Sequence, residues 1–228
     1  MRARNRCEKT LGAVWLAVLL SLGISGQATA ISGGEIMVKL REKFADYKTF
    51  SAHFEKEFYW ALLDKKRSQK GMITTRKPNQ FRLEIEQGDV VVADGQAIWV
   101  YTEKNKQVVV SSYREDVKTP WEILANYTEN YQPLAVAEVE WDGRDCYLLS
   151  LQPLAANSSV EQMRVWVDRK RWHVVKVEQL ATNEDRTTYM LKDHKTNKKM
   201  KDEIFSFDVH RDVEVIDTRA PEVVQDGP

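Results

Sequence analysis

Thr75-Arg76-Lys77-Pro78-Asn79-Gln80-Phe81-Arg82-Leu83-Glu84-Ile85-Glu86, then Gln87-Gly88, then Asp89-Val90-Val91-Val92-Ala93-Asp94-Gly95-Gln96-Ala97-Ile98-Trp99-Val100-Tyr101, is the stretch that decides the fold. Phe81, Leu83 and Ile85 alternate with Gln80, Arg82, Glu84 and Glu86, the period-2 pattern of a strand with one apolar and one wet face. Gly88 marks a first reversal. Asp94-Gly95, a dipeptide that tolerates positive φ at both central positions, predicts a second, tight hairpin. Pro78 has no amide hydrogen for a ladder, so it belongs at the start of its strand and leaves Arg76 and Lys77 at the rim. Taken alone, the pattern fits any meandering antiparallel sheet.

Upstream, Ile36, Met37, Leu40, Phe44 and Tyr47 recur at three and four and predict an amphipathic helix over Gly34 to Tyr47. Phe50, Ala52, Phe54, Phe58 and Trp60 alternate in a long first strand, interrupted by Lys56. A turn at Leu63-Asp64-Lys65 and a second strand over Gly71 to Thr75 lead into the central stretch. Downstream, Val108-Val109-Val110 is expected to pair with the Trp99 strand. Thr119-Pro120-Trp121-Glu122-Ile123-Leu124-Ala125-Asn126 reads as a short helix, with Thr119 as N-cap and Pro120 at the first helical position. So apolar a two-turn helix is not stable alone in water and has to lie against an apolar surface. Strands resume at Leu134 to Trp141, with Asp142-Gly143 as a hairpin signal. Further strands follow at Cys146 to Leu151, Met163 to Val167, Trp172 to Glu178, Arg186 to Lys192, Ile204 to Phe207 and Val213 to Ile216, and Pro221 to Pro228 reads as an unpacked tail. About eleven closely spaced strands predict an all-β fold in which one strongly curved antiparallel sheet approaches a barrel.

The first thirty residues have the physical character of a cleaved export signal. Arg2, Arg4, Arg6 and Lys9 precede an apolar run from Leu11 to about Leu22, and Ala28-Thr29-Ala30 supplies a small-residue cleavage pattern. Cleavage there leaves 198 of 228 residues, expected to form a single domain over 31–228. It removes Cys7, so Cys146 remains as a lone thiol, expected in the core of a protein without disulfides. Taking four basic and one acidic residue from 34 of each leaves 30 against 33, a net charge near −3 that argues against nucleic acid as partner.

These residues resemble the periplasmic lipoprotein carrier family LolA. Its members open a strand with a basic-basic-Pro-Asn-x-Phe element, matched by Arg76 to Phe81, and follow with a Ser-Asp-Gly-x-x-Leu/Ile-Trp-x-Tyr hairpin, matched by Ala93 to Tyr101. The first strand at Phe50 to Phe54, the Thr119 to Ala125 helix, Val177-Glu178-Gln179 with Arg186 to Lys192, and Phe205 to Asp217 also resemble family segments. Val209-His210-Arg211-Asp212 departs from the family's Pro-Pro-x-Gly. The resemblance implies an incomplete barrel whose concave apolar face lies under a lid of short helices and takes the acyl chains of lipoproteins. Lys77 then stands in place of a rim arginine that holds the lid through hydrogen bonds to helix backbone, shared with Arg76. An ammonium on a flexible stem lacks the five donors of a guanidinium fork, so a weaker latch is expected. Phe81, Leu83 and Trp99 on the sheet, with Leu40 and Phe44 on the first helix and Trp121, Ile123, Leu124 and Ala125 on the second, are the implied lid and ligand-binding residues.

Enzymatic signatures are missing. His53, His173, His194 and His210 have no metal-ligand spacing, Gly-x-Ser-x-Gly does not occur, and no glycine pattern cradles a phosphate, so neither a metal nor a cofactor nor a catalytic residue is expected. Cys146 reads as a core thiol, His53 and His173 as packed or surface imidazoles, and Arg186 as a turn ion pair with Glu184-Asp185. The resemblance implies a monomeric, non-enzymatic periplasmic chaperone. It would receive lipoproteins from an inner-membrane ATP-driven transporter and pass them to an outer-membrane acceptor where one exists. The alternative function on the same fold is a lipoprotein-sensing or regulatory domain. A weaker one is a hydrolase of envelope lipid using Cys146 or a histidine.

Overall fold

The computed structural model describes residues 31–114 and 127–219, all within one compact unit. The expected signal (1–30), the predicted lid helix at 119–126 and the tail at 221–228 lie outside the described residues. Helix α1 (Gly33–Ala45) precedes twelve strands: β1 (Thr49–Trp60), β2 (Lys65–Arg76), β3 (Gln80–Ile85), β4 (Val90–Ala93), β5 (Ala97–Thr102), β6 (Gln107–Ser112), β7 (Tyr131–Trp141), β8 (Arg144–Pro153), β9 (Val160–Asp168), β10 (Val174–Ala181), β11 (Arg186–Thr196) and β12 (Glu214–Asp217). They form one sheet in the order β12-β6-β5-β4-β3-β2-β1-β11-β10-β9-β8-β7. All pairs are antiparallel except β12 with β6. The two ends, β12 and β7, do not meet, so the barrel is open, and the chain from Ser112 to Tyr131 joins strands near opposite edges.

Ser32 starts α1 with a capping box: its Oγ accepts from the Glu35 amide at 3.2 Å, and the Glu35 carboxylate accepts from the Ser32 amide at 2.8 Å. Ile36, Met37, Leu40 and Phe44 form one stripe and are buried. They pack with Phe50 and Ala52 of β1, Ile73 of β2, Leu149 and Leu151 of β8, Met163 and Val165 of β9, Val177 of β10 and Leu191 of β11. A helix of 13 residues is about 20 Å long, and the seven adjacent strands from β2 to β7 would be about 29 Å wide if flat. The sheet curls to keep these rows against α1, and this defines its inner face. Gly71 serves the same packing on β2. A Cβ there would stand 2.0 Å from the Glu84 carbonyl and 2.8 Å from the Phe54 ring, so only glycine lets Phe54 lie across the strand.

Three local expectations are corrected. Asp94 does not take positive φ. Only Gly95 does, at 101°, while the Asp94 carboxylate accepts from the amides of Gln96 at 2.7 Å and Ala97 at 2.8 Å, so the reversal is an Asx turn. Asp142-Gly143, by contrast, has both residues at positive φ, 52° and 69°. Strand β2 begins at Lys65 and not near Gly71; Lys65 to Lys70 lack an apolar alternation because this part of the hairpin runs beyond the core. Ile204 to Phe207 is not a strand. Asp202–Phe205 is a 3-10 turn that seats Phe205 on the outer face, under the guanidinium of Arg76 at 4.7 Å. Gly71→Ala is expected to lower the unfolding free energy by about 1–3 kcal/mol, because backbone and ring both have to move; urea denaturation measures it.

Candidate functional site

Cross-strand partners share a face, so the inner face can be followed outward from α1. Phe81 on β3, Ala93 on β4 and Ile98 on β5 form one buried row, with Tyr113 packed against it. The next row joins Ile73, Leu83, Val91, Val100 and Val109 across β2 to β6. Its exposure rises from β2 to β5 and falls again on β6: Ile73 is buried, Leu83 and Val91 are half-buried, Val100 is 40% exposed, and Val109 is half-buried. Two regions therefore share one apolar surface. Leu40 and Phe44 fill the region over β1 and β8–β11, and the region over β3–β6 retains accessible aliphatic side chains.

The C-terminal end of α1 is held to the sheet rim. Lys77 Nζ donates to the Phe44 carbonyl at 2.8 Å and the Ala45 carbonyl at 2.9 Å. A cation at the carbonyl end of a helix satisfies acceptors that have no partner within the helix and complements the dipole. Asn197, which sequence reasoning missed, adds to this clamp. Its Oδ1 accepts from the Lys48 amide at 2.7 Å and its Nδ2 donates to the Asp46 carbonyl at 3.3 Å. Asn197 follows β11 in the left-handed region, φ 54°, which asparagine tolerates; nothing in the sequence around it signals a partner about 150 residues away.

Two predicted site residues point elsewhere. Arg76 does not share the Lys77 contacts: it donates to Gln80 and pairs with Asp202 at 2.7 Å on the outer side. Trp99 alternates with Ile98 and Val100 and so lies on the outer face, where it stacks on Phe207 with ring centres 6.0 Å apart. Trp121, Ile123, Leu124 and Ala125 fall outside the described residues. A cleft of about 730 Å³ does open on the outer face, between the sheet and the closing segment, and Met72, Arg82, Glu84, Lys201, Phe207 and His210 are among its walls. The Arg82–Glu84 ion pair, 2.7 Å, sits in that wall and makes it a poor surface for hydrocarbon.

Below the end of α1, His173 and His194 stack with centroids 4.8 Å apart, between Tyr47 and Phe50. The His194 ring nitrogen Nε2 lies 2.9 Å from the Val174 carbonyl. Burial, and then the neighbouring His194, push the His173 imidazole down to about 4, and burial lowers His194 as well. His53 sits on the surface beside Asp193. Cys146 is fully buried on the outer face with Trp166 and Val175, and burial pushes its thiol up to about 11, far from the thiolate a nucleophile requires. The expected Arg186 turn pair is replaced: the Asp185 carboxylate accepts from the Ala61 amide at 2.9 Å and from Asn183 at 2.9 Å. Among the described residues no three His, Cys, Asp or Glu side chains are placed to hold a metal, and no helix is long and apolar enough to cross a membrane.

The sequence profile of the family described as outer membrane lipoprotein carrier protein LolA matches residues 45–208. An outer-membrane lipoprotein carrier protein of Haemophilus ducreyi is 26% identical over 219 residues, covering 95% of this chain and 98% of its own. An uncharacterized protein of Methanocaldococcus jannaschii is 24% identical over 200 residues; the match covers 84% of this chain but only 56% of that one, so the chain spans about half the length of this relative. Among solved structures, an uncharacterized conserved protein from Thermus thermophilus superposes with a TM-score of 0.54 at 10% identity, over 82% of this chain and 99% of that one.

Lys77→Leu is expected to speed hydrogen exchange at the C-terminal amides of α1 while changing global stability by less than about 1 kcal/mol, since the ammonium is exposed and screened. Lys77→Arg should restore protection. For the histidine pair, a folded-state pKa below the unfolded value makes the unfolded chain the better proton binder. Stability is therefore expected to fall as pH drops from 6.5 and to stop falling through His173 near 4, and His173→Phe should flatten that part of a denaturation-midpoint profile.

Proposed function

Since the chain belongs to the LolA family of outer-membrane lipoprotein carriers, we propose that it is a periplasmic, non-enzymatic chaperone that shelters the acyl chains of lipoproteins between membranes. The observation that carries this reading is the graded row Leu83, Val91 and Val100 on the inner face, continuous with the apolar surface that α1 covers. Burying an acyl CH₂ stabilises by about 0.8 kcal/mol, so one sixteen-carbon chain represents roughly 10 kcal/mol that water cannot supply. Cargo of this kind does not cross an aqueous space uncovered.

Release requires that binding stay reversible. A cover held by one lysine and one asparagine meets this demand, because lifting α1 exposes its stripe and offsets part of what the acyl chains contribute. In this proposal Lys77 is the latch, Phe81 and Leu83 line the acyl site, Leu40 and Phe44 belong to the cover, and Trp121, Ile123, Leu124 and Ala125 complete it. Residues 1–30 direct export and are removed. An inner-membrane ATP-driven transporter supplies the cargo and an outer-membrane acceptor receives it.

Purified chain added to spheroplasts that contain the transporter is expected to release lipoprotein into the medium as a soluble complex. Val100→Asp and Leu83→Asp should each weaken binding of a triacylated lipopeptide by about tenfold or more, for a charge placed against hydrocarbon. Val100→Asp changes a side chain that is 40% exposed, so its fold should survive by circular dichroism. Failure to release any lipoprotein would refute the carrier function.

A further inference from the structure

The β1–β2 hairpin continues past the core and ends in apolar side chains facing solvent. Leu62 is 94% and Leu63 59% exposed, at a turn that closes beyond the Trp60–Lys65 pair. The turn is well fixed. The Ala61 amide is bound by the Asp185 carboxylate at 2.9 Å, and Asp64, in the left-handed region at φ 47°, accepts from the Tyr59 hydroxyl at 3.0 Å. Tips of hairpins ordinarily carry Gly, Asn, Asp or Ser, and a fixed pair of exposed leucines is a solubility liability unless something covers it.

The two faces of this hairpin differ in kind. On the outer face the ions are paired, Glu57 with Lys66 at 3.2 Å and Glu55 with Lys70 at 3.6 Å. The inner face carries Phe58 against Trp60, ring centres 4.5 Å apart, flanked by Lys56, Arg67 and Lys65 with no acid in those rows. Phe54, two positions before Lys56 on the same face, already packs on the α1 core, so aromatic surface runs from the core to the tip. The seven residues from Phe54 to Trp60, six steps along the strand, span about 20 Å, enough to place the tip in a bilayer interface while the body stands clear. Leucine at the end, tryptophan behind it, and lysine and arginine whose stems reach back to phosphate are the chemistry of an interfacial anchor. The chain from residue 31 on is net negative, near −3, so the cationic inner face of this hairpin also orients the molecule at an anionic surface.

We propose that the β1–β2 hairpin tip docks this protein on a bilayer surface rich in anionic lipid, with Leu62, Leu63 and Trp60 in the interface and Lys65 and Arg67 on headgroup phosphates. The docked orientation turns the inner face of the hairpin, and the aromatic track behind it, towards the membrane. The inference does not depend on the carrier function: a chain that binds lipopeptide but ignores vesicles would overturn docking alone, and one that docks without binding lipopeptide would leave docking standing.

Cosedimentation of the purified chain with phosphatidylethanolamine–phosphatidylglycerol vesicles, against phosphatidylcholine vesicles, tests it. Binding to the anionic vesicles is expected, weaker in high salt. Lys65→Gln with Arg67→Gln should reduce the partition about 30-fold on anionic vesicles and little on phosphatidylcholine. Leu62→Ser with Leu63→Ser should reduce it by about tenfold on both. These four side chains are exposed, and unchanged thermal unfolding of each variant would show that the fold is kept. Wild-type chain that stays in the supernatant with both vesicles, including the case where the hairpin instead holds a protein, overturns the proposal. So does undiminished binding by either double variant.

Discussion

A sheet that does not close on itself leaves an apolar inner face that something must cover, and among the described residues the burden falls on helix α1. The stripe of Ile36, Met37, Leu40 and Phe44 packs with side chains from six strands. The curl of the sheet follows from that contact as much as from strand twist, because the rows of β8 and β9 reach α1 only by bending towards it. The lysine at the rim completes the arrangement. It meets the last carbonyls of the helix, which would otherwise be left to water, and it does so from the turn that joins β2 to β3.

Coverage by α1 is uneven. Over β1, β2 and β8–β11 the helix side chains are interdigitated with the sheet and buried; towards β5 the aliphatic row becomes progressively accessible, up to Val100. The opposite surface is organised differently. Arg82 donates to the Ile204 and Ser206 carbonyls, Arg76 lies over Phe205, and Trp99 and Tyr101 pack on Phe207, so the closing segment is fastened by arginines and aromatics. One strand, β3, thus serves both surfaces: its odd residues Phe81 and Leu83 face the proposed cargo, and Arg82 between them secures the closing segment on the other side.

Among the described residues the sheet ends on two edge strands, β7 and β12. β7 carries Pro133, Glu138 and Glu140, a composition that discourages pairing with another chain. At the other end β12 pairs in parallel with β6, a junction no hairpin can make, which explains why the segment after β11 has to travel around the outer face first. Packing between that segment and the arginines of β2 and β3 is what sets where it ends.

Much of this was legible in the amino-acid sequence because it rests on local rules. Alternation marked β3, the reversals at Gly88 and Asp94-Gly95 set off β4 and β5, spacing at three and four marked α1, and Asp142-Gly143 fixed a hairpin by its tolerance of positive φ. The Arg76 to Phe81 motif brought Lys77 to notice, and burial of Leu40 and Phe44 follows from their place on the helix stripe. What the sequence left undecided depends on long-range placement. Which face Trp99 occupies is set by strand parity together with the side of the sheet on which α1 settles. Arg76 and Lys77 are neighbours with the same charge, yet one meets Asp202 and the other the end of α1, because successive residues at a strand end project to opposite sides. Asn197 joins the clamp only because β11 lies beside β1, and a pairing between residues about 150 positions apart leaves no local trace.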